Sequence, residues 1–503
     1  MPTTPIDPKD VQGLVRFGHG RLTEACYLLL RIRDRAAARA WCAVAPVTTA
    51  EVQKPLPEVA LQVAFTAAGL RELGVSPTIL AGFSAEFQSG IAGDENRSRR
   101  LGDIGKSAPA NWDWGWRGKE PHAVVMLFAL PGLLAGWRAK VESPVFHAAF
   151  ETLACLPTSD LKNHEPFGFR DGVSQPEIDW PRQRTAAGNE VTYTNIVSVG
   201  EFLLGYPNEY GKYTDRPLLN PASEGADELL PAEDDAGKMD LGRNGTYLVM
   251  RQLEQDVRGF WKFLDGAAKS DAPERLRLAQ AMVGRTTEGQ PLVPLSETPI
   301  PGIDDSPQDP ANNFTYDGDP NGTSCPFGAH VRRANPRNVD LPGQPRCWFT
   351  RLRRMLAFVP KAFRYDVTAS TRFHRILRRG REYGPLLTIA DAVSPAPAGD
   401  PKRGLQFLCL NANITRQFEF VQNAWLMSTK FNALSEESDP LLGNRAPVGD
   451  CPYTGNFSLP REAAPRQVLT GLPQFIAVRG GAYFFLPSLR ALRYFSKAAT
   501  QSR

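Results

Sequence analysis

Along the chain, apolar runs and polar stretches alternate with spacings that separate strands from helices. Residues 22–33 are largely apolar and suit a buried strand, and the polar, alanine-rich residues 34–43 read as a helix. Residues 59–66 alternate as a second strand, with a short helix predicted over 67–73. Residues 123–130 form a third strand pattern, and 133–138 open a further helix. A similar order returns downstream. Residues 246–253 read as a strand, and 256–264 have helical spacing with Val257, Phe260, Trp261 and Leu264 on one side. A helix is predicted over 272–283, strands over 405–411 and 474–478, and a helix over 417–425 between them.

Two strand–helix–strand units, starting near residues 22 and 245, suggest a diverged internal duplication. The acidic, Pro- and Gly-containing stretch 215–244 is the natural boundary, dividing the chain into residues 1–214 and 245–503. Strands and helices mix without strict alternation, so an α+β class is expected rather than a doubly wound sheet.

Composition narrows the functional classes. The 503 residues carry 58 basic and 54 acidic side chains, a net charge of +4, which lacks the clustered excess of a nucleic-acid-binding domain. Seven scattered cysteines contain no CxxC, so neither a disulfide framework nor a zinc ribbon is expected, and a reducing compartment fits. The start of the chain has neither a basic nor an apolar signal-peptide region, and the uncharged stretch 122–137 is broken by Pro131-Gly132. The expectation is a cytoplasmic protein without a membrane span.

Three segments hold candidate chemistry. In Phe167-Gly-Phe-Arg-Asp-Gly-Val-Ser-Gln-Pro176, Asp-Gly is a strong turn dipeptide, so a turn is the plain reading. The sharper one is a carboxylate, Asp171, in an aromatic setting, able to transfer protons. In Cys325-Pro-Phe-Gly-Ala-His-Val-Arg-Arg-Ala-Asn-Pro-Arg337, His330 is one of only six histidines and three arginines follow it closely. Taken alone it reads first as a structural histidine. A single imidazole is too few for zinc, yet it suffices for haem, whose propionates suit arginines. The basic stretch 371–384 reads as a solvated strand running into a Gly turn, or, on weaker grounds, a nucleic-acid patch.

Together, GFRDG, CPFGAHxRRxNPR and HRILRRGxxYG, in this order, resemble the dye-decolorizing peroxidases of the chlorite dismutase-like superfamily, in the larger, longer-loop subfamilies. Val11-Gln12-Gly13, residues 417–422 and 476–487 resemble family segments too, so the resemblance spans almost the whole chain. It implies two ferredoxin-like modules with packed antiparallel sheets. The module 1–214 would carry the distal GFRDG motif and 245–503 would bind haem b, with 215–244 as linker or insertion. By motif position it implies His330 as axial iron ligand, Asp171 as distal acid–base residue and Arg378 as distal arginine. Arg378 is preferred to Arg379 by counting back from Tyr383-Gly384. Asp439, in Ser438-Asp439-Pro440, would hydrogen-bond the proximal imidazole, and Arg332 and Arg337 would lie beside the cofactor. Gly380 stands where bacterial subfamilies carry Asn, so Asp171 is expected to carry more of the proton transfer. The implied partners are hydrogen peroxide and aromatic reducing substrates, with neither nucleic acid nor membrane; a homo-oligomer stays open. Two rivals remain: thiolate ligation by Cys325, and a haem-binding or haem-handling protein without turnover.

Overall fold

The computed structural model describes residues 5–183, 193–297, 300, 309–338, 370–447 and 451–497. The first half of the sheet is built from β1 (Glu24–Ile32), β2 (Val59–Phe65), β3 (Ala123–Ala129) and β4 (Phe150–Pro157). Their spatial order is β4-β1-β3-β2, antiparallel throughout. The second half comprises β5 (Thr246–Gln255), β6 (Leu377–Arg378), β7 (Arg381–Tyr383), β8 (Gly404–Asn411) and β9 (Ile476–Leu486). Here β9 flanks β5, β5 flanks β8, and β6 and β7 share the far side of β8. In both halves the order is fourth, first, third, second, the ferredoxin-like arrangement, and the expected duplication is therefore visible in topology.

Each half begins in the same way. After β1, Asp34 caps helix α1 (Arg35–Val44) by accepting from Ala37 N at 2.7 Å, and α1 buries Ala38, Trp41 and Cys42. After β5, Asp256 caps α2 (Val257–Ala267) by accepting from Gly259 N at 2.8 Å, and α2 buries Val257, Phe260, Trp261 and Leu264. Spacings of three and four residues put each set on one stripe, which packs against the sheet.

The two halves join in one continuous sheet where β9 meets β2, with Phe485 opposite Phe65. Gln12, fully buried, spans this seam. Its Nε2 donates to Val63 O on β2 and to Pro487 O just beyond β9, both at 2.8 Å, and its Oε1 accepts from Val63 N at 2.9 Å.

Some elements depart from the expected pattern. Strand β4 was not predicted, because Glu151 and Thr152 interrupt its apolar run, as an edge strand with one wet side allows. The helix expected over 417–425 consists of wide π-type turns, Thr415–Glu419 and Val421–Met427. At its start the buried Gln417 amide donates to Glu201 O and Arg375 O while accepting from Asn413 N, tying the first turn to two other segments. The stretch 371–384 is not a solvated basic face, since Arg372 and Arg375 are buried. Residues 215–244 contain a small sheet in which Met239–Asp240 pairs with both Leu218–Leu219 and Leu230–Pro231. Among the described residues no helix is long and apolar enough to cross a membrane.

Candidate active site

The chain leaving β4 forms a tight loop that aims Asp171. Gly168 and Gly172 take positive φ angles of 96° and 78°, which a side chain would oppose, so the segment is indeed a turn. Glu165 organises it: its carboxylate accepts from Phe167 N and Phe169 N at 3.0 Å each, and from Gln255 Nε2 at 2.8 Å. Phe167 and Phe169 are buried, Phe167 with its ring centroid 4.6 Å from that of Phe260 and Phe169 parallel to Trp261. The aromatic residues of the motif therefore anchor the turn, and the carboxylate between its two glycines faces a cavity.

Arg378 reaches Asp171 from β6, Nη1 to Oδ1 at 2.8 Å, and Gly172 N donates to the same oxygen at 2.6 Å. Among the described residues no hydrogen bond engages Oδ2. Gln175 fixes the arginine's backbone, accepting from Arg378 N at 3.1 Å and donating to Arg378 O at 3.2 Å. Side chains alternate along a strand, so Arg379 points to the other face, where it donates to Leu14 O and Val15 O. Burial raises the Asp171 carboxyl, but the Arg378 guanidinium and the Gly172 N–H outweigh it and hold the group below the usual carboxylate range.

His330 opens helix α3 (His330–Ala334) and lines the same cavity. Its Nδ1 lies 2.9 Å from Oδ2 of Asp439, which is fully buried and whose Oδ1 accepts from Leu441 N and Leu442 N at 2.9 and 2.8 Å. Burial alone would lower the imidazole, yet the Asp439 charge keeps it above its ordinary range. The cavity measures about 240 Å³, and Leu253, Val283, Phe407, Phe418 and Leu426 contribute apolar wall.

Asp171, Arg378, His330 and Asp439 are thus brought together. Arg332 and Arg337 are not part of the cavity lining. Arg332 is held by Asp319 Oδ2 at 2.9 Å and Cys325 O at 2.6 Å, and Arg337 by Asn312 Oδ1 at 2.5 Å and Phe314 O at 2.9 Å. Both guanidinium groups brace the loops around His330, a use that spacing from the histidine does not distinguish from anion binding. Cys325 is buried in a separate apolar cluster with Val293, Phe314, Tyr316 and Ala329, where burial pushes its thiol up to about 12. It too lies outside the lining.

Three residues of the site were not singled out from the sequence. Gln175 lies within the recognised turn segment, and Glu165 just before it. Arg375 lines the cavity three residues before Arg378, donating to Asn335 Oδ1 at 2.8 Å and leaving Nε buried without a hydrogen-bond partner among the described residues. Its place in an arginine-rich stretch was the available signal.

Residues 37–133 match the DyP dimeric α+β barrel domain. A dye-decolorizing peroxidase of Auricularia auricula-judae is 28% identical over 515 residues, covering 97% of this chain and 87% of the relative. One from Mycetinis scorodonius is 29% identical over 458 residues, covering 87% of this chain and 76% of the relative. The crystal structure of the Auricularia auricula-judae fungal DyP-type peroxidase superposes with a TM-score of 0.70 at 26% identity, covering 98% of this chain and all of that one. Sheet order, domain match and relatives that align over most of the chain agree: it is similar throughout to the dye-decolorizing peroxidases and is an enzyme of that type.

Proposed function

We propose that the protein is a haem b peroxidase that reduces hydrogen peroxide and oxidises dyes, phenols or other aromatic donors. In this reading His330 would hold the haem iron through its imidazole, and Asp171 and Arg378 would serve the peroxide. The observation that carries it is the convergence on one cavity of a carboxylate–arginine pair and a histidine held by a buried carboxylate.

The lining suits such a group. Asp439 engages Nδ1 of His330, which leaves Nε2 for iron. The apolar walls suit a flat macrocycle, and the buried, incompletely paired guanidinium of Arg375 offers charge to a propionate. Bound there, haem would supply the redox chemistry that peroxide reduction and one-electron oxidation of a donor require.

The chain's own residues move the protons. Asp439 accepts from the His330 Nδ1–H and makes the imidazole a stronger electron donor. Asp171 takes a proton from hydrogen peroxide on Oδ2 and returns it to the departing oxygen, so that water leaves. Arg378 stabilises the negative charge developing on that oxygen.

The test is purification with added haem, an absorption and EPR spectrum, then rapid mixing with hydrogen peroxide and a phenolic donor. An imidazole-ligated ferric spectrum with donor turnover is expected. Haem uptake with negligible turnover would instead indicate a haem-handling protein, and a thiolate spectrum would move the iron to a cysteine.

A further inference from the structure

At the outer edge of the N-terminal half, outside the cavity lining, two thiols meet across neighbouring strands. On β1 and β4, Cys26 lies opposite Pro157 and Leu28 opposite Cys155. Residues two apart on a strand share a face, so Cys26 and Cys155 are diagonal neighbours on one side of the sheet. Each of the two thiols perturbs the titration of the other. Arg138, on the helix Leu134–Val141, donates from Nη1 to the same sulfur at 3.4 Å. Two further bonds to Glu142, at 2.8 and 3.2 Å, steady that guanidinium. Cys26 is buried, whereas Cys155 is half-buried on the edge strand.

This arrangement makes the two sulfurs unequal. Interaction with the Cys26 thiol holds the Cys155 thiol below its ordinary range; burial opposes that, and the Arg138 charge supports it against Glu142. The same interaction, with burial, pushes the Cys26 thiol up. One sulfur is thus ready as a thiolate, the reactive form, and its neighbour keeps a proton.

We propose that Cys155 and Cys26 form a peroxide-reactive pair that closes to a disulfide. The Cys155 thiolate attacks hydrogen peroxide, an S–O bond forms as the O–O bond breaks, and hydroxide leaves. Cys26 then attacks the Cys155 sulfur; the S–S bond forms, the S–O bond breaks, and the Cys26 proton departs with the hydroxyl as water. Two electrons leave the sulfurs and reduce one peroxide. A resolving thiol on the neighbouring strand stops Cys155 short of irreversible oxidation. The link would fasten β4 to β1 where the chain runs on towards the Asp171 loop.

The haem-loaded, fully reduced protein is treated with a small excess of hydrogen peroxide, alkylated and digested, and its peptides are weighed. A Cys26–Cys155 cross-linked pair that dithiothreitol releases is expected. Cys26→Ser should trap Cys155 as a sulfenic acid that dimedone captures, while Cys155→Ser should leave Cys26 reduced. Arg138→Gln should slow Cys155 alkylation roughly tenfold. The His330→Ala protein should form the same link, so this chemistry stands or falls apart from the peroxidase reading. Full alkylation of both cysteines after peroxide, in the parent and in His330→Ala alike, would overturn the proposal.

Discussion

At Asp171 the relevant contest is between burial, which favours the neutral acid, and Arg378 with Gly172 N, which favour the carboxylate and win. A proton acceptor with a depressed pKa is present at pH values where an imidazole, with an ordinary value of about 6.5, is already charged. Turnover of an anionic dye should therefore peak on the acidic side of neutral and fail only as pH drops through the lowered carboxyl pKa. The same sign applies to stability: the Asp171–Arg378 pair contributes above the unfolded carboxyl pKa, and that contribution is lost as pH falls through the folded one. In Asp171→Asn the shape remains and the acceptor is gone, so the rate constant with peroxide should drop by roughly two to four decades. An unchanged rate in stopped-flow mixing would reduce Asp171 to a turn residue. Arg378→Leu should lower the same rate roughly a hundredfold while haem still binds. Arg379→Leu, with its guanidinium bonded to Leu14 O and Val15 O, should leave the peroxide step near normal, and the opposite pattern would move the site by one residue.

At the scale of elements, the turn 165–172 works as a unit. Its carboxylate at Glu165 binds two backbone N–H groups and the Gln255 side chain, and burial pushes that carboxyl up to about 7. Glu165→Gln substitutes an amide for one accepting oxygen, so one of those N–H groups loses its partner and the turn shifts. Because a misplacement of about 1 Å can cost on the order of a hundredfold, the peroxide rate should fall although Asp171 is untouched. The haem spectrum should stay that of the parent, which separates displacement of the turn from loss of the cofactor. The turn itself was legible, since Gly-x-x-Asp-Gly is local chemistry. Its anchoring was not: Glu165 acts through backbone groups and through Gln255 on a strand far along the chain.

For the whole molecule, the critical seam is the one between β9 and β2, where the two halves become one sheet. Gln12 satisfies three buried backbone groups there. Gln12→Ala leaves them unpaired, and at about 1–3 kcal/mol for each buried orphan the loss should exceed about 2 kcal/mol. Chemical denaturation followed by tryptophan fluorescence should show a lowered midpoint, and a midpoint equal to that of the parent would mean that the seam is held elsewhere. Since β5, β6, β8 and β9 belong to the half bearing His330 while Asp171 comes from the other, loosening the seam should also weaken haem retention.

Local pattern by itself determined most strands, both capped helices, the duplication and the α+β class, because periodicity and capping act over a few residues. It also marked Asp171 and His330, each lying in a short segment with distinctive neighbours, whereas Arg378 and Asp439 entered only through the family resemblance. Only the tertiary structure decided which arginine faces Asp171, since that depends on the pairing of β6 with β8, and which arginines are structural. Arg332 and Arg337 share the charge of Arg375, and their different surroundings come from residues such as Asp319, Asn312 and Phe314 meeting them in the folded chain. The meeting of Cys26 with Cys155 is of the same kind, because sequence spacing carries no trace of cross-strand register.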